Sequence, residues 1–286
     1  MSAEAEVGAG KRRSPLLISV LIFGVLALLV VLVSRFYTDY LWFSSVSAST
    51  VFTTQLAARV GLFLGFGLLM GGGLFGSLVL AYRLRPPVRR ANLDSELLLQ
   101  LRDGLDKRSR TLMLLPAVVA GLLGGGVAAS QSQTFLAWTR ATDFGTPDAV
   151  FSLDASFYVF QLPWWRFVLS YVSFMVVACL VGSLLVHFLT GAMNSTAFRK
   201  SGNLKAAGKA AQRQVSILLG VALLLYGVAS FLDRYGYLTT QNNLFTGVNY
   251  TDATSRIPAS LIVAAIAGIC ALLCFYNAWR GRWSVP

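Results

Sequence analysis

The chain has 286 residues, of which 56% are hydrophobic and only 13% are charged. About a quarter of the residues in a soluble domain are charged, so this composition argues against an ordinary soluble fold. The formal net charge of +12 lies in short segments beside apolar runs. That placement argues against nucleic-acid binding and favours contact with the headgroups of a lipid bilayer.

A first membrane-spanning helix is predicted over residues 16–34, directly after the basic triplet at residues 11–13. An apolar run of about 18 residues or more is long enough to cross a bilayer as a helix. A signal peptide would have a shorter apolar region and a small-residue cleavage site, whereas an aromatic-rich stretch at residues 36–43 follows this run. We therefore predict a span that is retained in the mature protein. The aromatic rings favour the boundary between water and lipid, and stacking on a ligand is their alternative role.

The second and third predicted spans, residues 60–82 and 111–129, are rich in glycine. Small residues four positions apart let a neighbouring helix approach closely, because no large side chain separates the two backbones. This spacing, or a run of glycines, occurs at Gly61/Gly65, Gly67/Gly71, Gly72/Gly76, Gly121 and residues 124–126. The alternative is a flexible hinge at residues 71–73, where three glycines in succession weaken the helix.

A charged segment at residues 88–110 separates these two spans and is predicted to form a short amphipathic helix on the inner membrane surface. Leucine recurs there every four residues from Leu93 to Leu105, and Asn92 can cap the start of the predicted helix. Acidic residues lie in its first turn (Asp94 and Glu96) and basic residues lie at its end (Lys107, Arg108 and Arg110). That order suits the helix dipole and gives the helix one apolar face. The alternative is a helix that docks a cytosolic partner.

The longest predicted loop, residues 130–166, lies on the outer side and contains the aromatic-rich polar stretch from Asp143 to Pro163. Its aspartates are predicted to form turns and caps. The alternative is a divalent-cation site on the outer side that is made from some of the aspartates Asp143, Asp148, Asp154, Asp233 and Asp252, with Asp148 and Asp154 as the ligands to test. No constellation for catalysis or for cofactor binding is recognised, so the sequence predicts neither an enzyme nor a cofactor.

The fourth predicted span, residues 167–190, contains His187, the only histidine of the chain. An ionisable group inside a membrane span is a functional candidate by default. Because His187 lies close to the predicted inner end and has no acidic neighbour in sequence, we favour a neutral histidine that is hydrogen-bonded near the interface.

The basic segment at residues 191–214 precedes the fifth span and contains no acidic residue. Lys205, Lys209 and Arg213 are four residues apart and therefore line one face of a helix. Anionic headgroups attract each such charge by about 1 kcal/mol. We predict that these three side chains contact lipid headgroups of the inner leaflet.

Together these elements predict an all-α integral membrane protein, a bundle of six transmembrane helices with both termini inside and with ordered outer loops. Eighteen of the 24 basic residues then lie on the inner side, as the positive-inside rule requires. The predicted spans are residues 16–34, 60–82, 111–129, 167–190, 215–232 and 259–278. The predicted outer loops are residues 35–59, 130–166 and 233–258, within a membrane domain of residues 16–279 that follows a cytosolic tail at residues 1–15.

The stretch from Asp143 to Pro163 resembles the signature of bacterial multi-pass membrane proteins grouped as uncharacterised protein family 0182. The matching residues, which the resemblance marks as the structural signature of the outer loop, are Phe144, Gly145, Asp154, Phe157, Tyr158, Phe160 and Pro163. Residues 40–43, 250–252 and 257–258 are also similar. The turn departs from the family pattern, because Pro147-Asp148 stands where the family more often has Asp-Pro.

The resemblance implies location and architecture but no reaction, since the family has no established activity. Its members continue into a seventh span and a large extracytoplasmic region, so we expect residues 280–286 to approach a seventh span of a longer protein. We expect a bacterial cell-membrane platform for cell-envelope binding or assembly, with an envelope protein or a lipid as partner. The alternative is a transporter or permease subunit for an apolar or lipid-like substrate. The oligomeric state stays open.

Overall fold

The computed structural model describes residues 15–84, 96–190, 209–241 and 247–280. Within these ranges most residues are helical, and an isolated bridge pairs Pro147 with Asp154. The helices are α1 (Pro15–Ser45), α2 (Ser49–Arg83), α3 (Glu96–Ser130), α4 (Ser132–Thr139), α5 (Leu162–Leu189), α6 (Lys209–Gly236) and α7 (Ile257–Arg280). A π-helical turn precedes α5 (Phe157–Gln161) and another precedes α7 (Asp252–Arg256).

Six helical segments in the described ranges are long and apolar enough to cross a membrane. They are Ile22–Ser45, Ser49–Arg83, Arg108–Ser130, Phe157–Leu189, Lys209–Thr239 and Asp252–Arg280. Large apolar side chains are exposed along them, such as Phe23, Leu68 and Leu272. The all-helical prediction and the number of candidate spans are therefore confirmed. The predicted tail at residues 1–15, apart from Pro15, and residues 281–286 lie outside the described residues.

The first two helices are longer than the predicted spans. The predicted outer loop at residues 35–59 is helical except at residues 46–48, where Ser47 has a φ of 55°. Neither glycine nor proline occurs between residues 36 and 58. Hydropathy marks where an apolar run ends, whereas a helix continues until its backbone hydrogen bonds are interrupted.

Helix α3 joins two elements that the sequence analysis treats separately. Its helical geometry breaks at Arg108, which has φ −134° and ψ 32°. The charged segment therefore ends within three residues of the predicted boundary with the third span. The part of the predicted amphipathic helix before residue 96 lies outside the described residues.

The chain divides into two compact units, residues 1–57 and residues 58–286. In the first unit, the ring of Phe52 contacts three aromatic rings of α1. The ring centroids lie 5.4 Å from Phe36, 5.8 Å from Tyr40 and 5.7 Å from Phe43. The aromatic-rich stretch predicted at a membrane boundary thus packs α1 against the first turn of α2.

In the second unit, glycine allows the backbones of α2 and α3 to touch. A Cβ atom added at Gly67 would lie 3.0 Å from the carbonyl oxygen of Gly121, and one at Gly71 would lie 3.0 Å from that of Ala117. A Cβ atom at Gly125 would lie 2.6 Å from the carbonyl oxygen of Phe63. Gly67/Gly71 is therefore the close-packing pair of α2, since Gly61, Gly65, Gly72 and Gly76 have no such neighbour within 4 Å.

Helix α5 packs against both α2 and α3. One buried cluster joins Leu74 and Leu78 of α2 to Met113 of α3 and to Cys179 of α5. The Tyr171 hydroxyl of α5 donates to the carbonyl oxygen of Phe66 at 2.8 Å. This bond crosses from α5 to α2 within a second, aromatic cluster.

Helices α6 and α7 form a close pair in which a second set of glycines faces the partner helix. A Cβ atom at Gly227 would lie 3.1 Å from the carbonyl oxygen of Ala264, and one at Gly220 would meet the ring of Phe275. Before α7, the Asn249 and Asp252 side chains accept hydrogen bonds from each other's backbone N–H groups, at 2.7 and 3.2 Å. This reciprocal pair fixes the start of the last helical segment.

Candidate functional site

The loop at residues 140–156, which we name the aspartate loop, closes around the carboxylate of Asp148. The backbone N–H groups of Val150, Phe151 and Leu153 donate to it at 2.7, 2.7 and 3.0 Å. The Tyr158 hydroxyl donates at 2.7 Å. Both carboxylate oxygens are thus occupied, because the turn wraps its free N–H groups around one acidic side chain.

A second carboxylate, that of Asp154, joins the two arms of the aspartate loop. It accepts the backbone N–H groups of Phe144 at 3.0 Å, Thr146 at 3.2 Å and Ser156 at 2.8 Å. The intervening Gly145 has a φ of 71°, a left-handed conformation that glycine adopts without a steric penalty. The arms are therefore held together by side-chain acceptors in addition to the isolated backbone bridge.

These hydrogen bonds hold both carboxyl groups in the charged form. Partial burial raises the pKa of Asp148, but donation from the Phe151, Leu153 and Val150 backbone and from Tyr158 lowers it more, so the pKa falls below its usual range. The backbone N–H groups of Ser156 and Phe144 lower the pKa of Asp154 to about 2. The loop therefore carries two fixed negative charges at neutral pH.

Aromatic contacts attach the aspartate loop to the end of α6. The Tyr235 ring lies 4.9 Å from the Phe151 ring and 5.4 Å from the Phe157 ring, measured between centroids. Phe144 packs edge-on against Phe160 at 5.5 Å. The loop is thus a packed extension of the helices, with exposed positions such as Val150 on its surface.

The structure brings most of the predicted signature residues together. The Asp154 carboxylate accepts the backbone N–H groups of Phe144 and Thr146, which flank Gly145. The Tyr158 hydroxyl donates to Asp148. Pro163, by contrast, is exposed just after the junction between the π-helical turn and α5. That these residues determine the shape of the loop stays a prediction.

The sequence analysis predicted turns and caps for the aspartates of this loop, with a metal site as the alternative, but it did not identify Asp148 as the centre of the loop. Among the described residues no group of three or more His, Cys, Asp and Glu side chains could hold a metal ion. The four donors around its carboxylate account for Asp148 as a turn former. The signal that could have indicated this role is an aspartate directly after a proline and before a run of free backbone N–H groups.

A buried polar cluster lies between α2, α5 and α6. His187 Nε2 lies 3.0 Å from Gln214 Oε1, and Gln214 Nε2 donates to the Ser77 carbonyl oxygen at 3.0 Å and to Ser183 Oγ at 3.1 Å. The Ser77 and Ser183 hydroxyls are 2.7 Å apart. His187 and Ser183 are completely buried, and His187 Nδ1 has no hydrogen-bond partner among the described residues.

This cluster gives His187 the hydrogen bond that the sequence analysis favours, but the partner was not foreseen. Gln214 lies one residue before the predicted start of the fifth span and was treated as part of a basic surface segment. In the structure α6 already includes it, because the helix extends back to Lys209. Polar side chains that are spaced along apolar runs, such as Ser77 and Ser183, are the signal that could have indicated an interhelical cluster.

The basic face predicted before the fifth span borders a cavity of about 400 Å³ at the ends of α2, α6 and α7. Lys209 and Arg213 line it together with apolar residues and the buried Gln214. Both basic side chains are exposed, and neither forms an ion pair with a described side chain. The third predicted contact, Lys205, lies outside the described residues.

A sequence model of the uncharacterised protein family UPF0182 matches residues 16–286 of the chain. A UPF0182 protein of Streptomyces coelicolor is 37% identical over 286 residues, which cover 98% of this chain and 28% of that relative. Relatives from Frankia casuarinae and Mycobacterium tuberculosis are 36% and 38% identical, and the matches cover 96% of this chain and 26% and 27% of those proteins.

The chain thus spans about a quarter of the length of the curated relatives that it matches. The names of these relatives state no activity, ligand or partner. No solved structure is significantly similar to the chain.

Proposed function

This chain belongs to the uncharacterised protein family UPF0182, and we propose that it is a membrane platform for cell-envelope binding or assembly. In this proposal it crosses the bacterial cell membrane six times, keeps both termini in the cytoplasm and presents the aspartate loop on the outer face. The observation that carries the proposal is the hydrogen-bonded scaffold around Asp148 and Asp154. A loop fixed in this way loses less conformational entropy when a partner binds its exposed surface.

Exposed apolar side chains support insertion into the membrane, and the distribution of charge supports the orientation. Exposed leucine, valine and phenylalanine side chains cover the six candidate spans, and in water they would form a large apolar surface. With both termini inside, 18 basic and 6 acidic residues lie on the inner side, and 6 basic and 6 acidic residues lie outside. The inverted orientation would carry those 18 basic residues across the membrane.

Orientation is tested by cysteine labelling in whole cells. All three native cysteines lie within candidate spans and are first replaced by alanine. A membrane-impermeant maleimide is then applied to Thr146→Cys and, separately, to Lys205→Cys. The proposal expects labelling of position 146 in intact cells and of position 205 only after lysis. The reverse pattern contradicts the proposed orientation.

The platform role is tested with a photo-crosslinking amino acid at Val150, whose side chain is 51% exposed on the aspartate loop. We expect a discrete adduct with one envelope component in living cells. The same amino acid at Leu272, 68% exposed on α7, is the control for contacts along the lipid-facing surface. An adduct that persists after Asp148→Asn and Asp154→Asn together would show that the folded loop is not the binding surface. Absence of any discrete adduct from Val150 would refute the platform role.

A second candidate is a transporter or permease subunit for an apolar or lipid-like substrate. The observation in its favour is an apolar groove of about 370 Å³ along α2 and α3, lined by Phe63, Leu68 and Leu114 among others. The backbone contact at Gly67 and Gly121 leaves no space for a substrate between the two helices, so a substrate would follow their surface. Movement of a fluorescent lipid across liposomes that contain the purified chain, above the rate in protein-free liposomes, would favour this candidate.

A further inference from the structure

We propose that the cavity at the ends of α2, α6 and α7 is a binding site for one anionic phospholipid, which we name the headgroup pocket. Its basic residues are Lys209 and Arg213, and its apolar walls include Leu80, Leu84 and Ile217. The inference depends on membrane insertion but not on the platform role of the aspartate loop.

The charge of the headgroup pocket selects an anion. Lys209 and Arg213 lie one helical turn apart on α6, so their side chains extend from the same face. No described acidic side chain neutralises either of them. The Gln214 amide, which also lines the pocket, already makes its hydrogen bonds within the buried cluster. Among the described residues, the charges that remain for a ligand are therefore positive.

The walls of the pocket select a ligand with an apolar part. Leu80 lies in the last turn of α2, Leu84 directly follows that helix, and Ile217 lies one turn beyond Arg213 on α6. A free phosphate ion would leave these side chains in contact with water. A phospholipid brings its phosphate to the two basic residues and its first methylene groups to the leucines, which removes apolar surface from water.

The position of the pocket matches the level of lipid headgroups. Three candidate spans end or begin there, at Arg83, Lys209 and Arg280. Trp279 forms part of the rim and is 81% exposed. Tryptophan favours the interface between headgroups and acyl chains, where its ring is in lipid and its N–H reaches water. A volume of about 400 Å³ accommodates a headgroup and the start of its chains, but not a whole lipid.

The test measures binding of short-chain lipids to the full chain, purified in a neutral detergent. The probes are dioctanoyl phosphatidylglycerol, dioctanoyl phosphatidylcholine and glycerol 3-phosphate. We expect the anionic lipid to bind at least about tenfold more tightly than either of the others, because only it supplies both a net charge and apolar chains. Equal affinity for the two lipids overturns the charge argument. Equal affinity for glycerol 3-phosphate overturns the assignment to a lipid.

Variants then locate the site. Replacing Lys209 and Arg213 together by glutamine is expected to weaken phosphatidylglycerol binding about 30-fold. Each basic side chain contributes about 1 kcal/mol of attraction to an anionic headgroup, and about 1.4 kcal/mol corresponds to a tenfold change in affinity. The matched control is Arg280→Gln at the same end of the bundle, since Arg280 lies outside the pocket and its guanidinium is 5.2 Å from the Tyr276 ring centroid. A comparable loss in Arg280→Gln would mean that charge acts over the whole surface, which overturns the pocket.

A third variant keeps both charges and fills the cavity. Ala210 lines the pocket, so Ala210→Trp is expected to weaken phosphatidylglycerol binding at least about tenfold, because the chains lose their space between the helices. If that variant does not elute as a single species, Ala210→Leu replaces it. Unchanged affinity in a well-folded pocket-filling variant overturns the proposal. Lipid binding is measured independently of the crosslinked adduct at Val150. A failure of the platform proposal can therefore be distinguished from a failure of the headgroup pocket.

Discussion

The contact between α2 and α3 predicts opposite effects for the same substitution at two neighbouring glycines. At Gly125, an added methyl group would lie 2.6 Å from the carbonyl oxygen of Phe63 and 3.0 Å from its ring. At Gly126, the next residue of the same helix, an added methyl group has no neighbour within 4 Å. Gly125→Ala and Gly126→Ala therefore form a matched pair with identical chemistry and different surroundings.

The size of the expected stability loss follows from how far the two helices must separate. Ordinary contact begins at 3.4 Å, so α2 and α3 must separate by several tenths of an ångström at Gly125. The obstacle is a backbone carbonyl, which cannot rotate away, and overpacking of this kind costs about 1–3 kcal/mol. Both variants also gain up to about 1 kcal/mol of helix propensity, which cancels in the difference. We therefore expect Gly125→Ala to be less stable than Gly126→Ala by about 1–3 kcal/mol.

The assay is unfolding of the purified chain in mixed micelles of a mild detergent and sodium dodecyl sulfate, followed by tryptophan fluorescence. The midpoint should fall for Gly125→Ala and stay or rise for Gly126→Ala. Gly71→Ala and Gly72→Ala repeat the comparison on α2, where the added methyl group lies 3.0 Å from the Ala117 carbonyl oxygen at the first position and meets nothing at the second. Equal midpoints within both pairs would refute the close packing described here.

Three further outcomes follow from the polar contacts. Asp148→Asn should destabilise the loop by about 1–2 kcal/mol, because an amide nitrogen replaces one acceptor oxygen. Protease sensitivity of residues 140–156 measures this. Asp143→Asn should have a smaller effect, because the amide oxygen can still accept the 3.2 Å bond from the Ser156 hydroxyl. Because folding lowers the pKa of Asp154 to about 2 from its usual 3.8, its contribution to loop stability is complete above about pH 4 and is lost as the pH falls towards 2. Loop protease resistance that is the same at pH 5 and pH 2.5 would contradict this. Gln214→Leu should lower the free energy of unfolding of the bundle by about 1–2 kcal/mol, because three interhelical hydrogen bonds disappear. An unchanged unfolding midpoint would show that the buried cluster contributes nothing to stability.

The helices themselves could be predicted from the sequence, and their ends could not. Apolar runs identified all six candidate spans, because hydropathy summed over about 18 residues is a local property of the chain. The continuation of α1 and α2 through residues 35–59 was missed, since polar residues end an apolar run without ending a helix. Gln214 was excluded from the fifth span for the same reason, and the buried cluster around it was missed as a result.

By itself the sequence determined the helical class, the number of candidate spans and the uneven distribution of charge, because each depends on composition over short segments. Only the tertiary structure decided which glycines form a helix contact. Gly67/Gly71 and Gly72/Gly76 have the same spacing, and they differ only in which side of α2 faces α3. It likewise decided that Asp148 closes the aspartate loop and that Gln214 reaches His187. Such pairings depend on how each helix is rotated about its own axis and on how a loop folds back, and residue spacing along the chain does not contain that information.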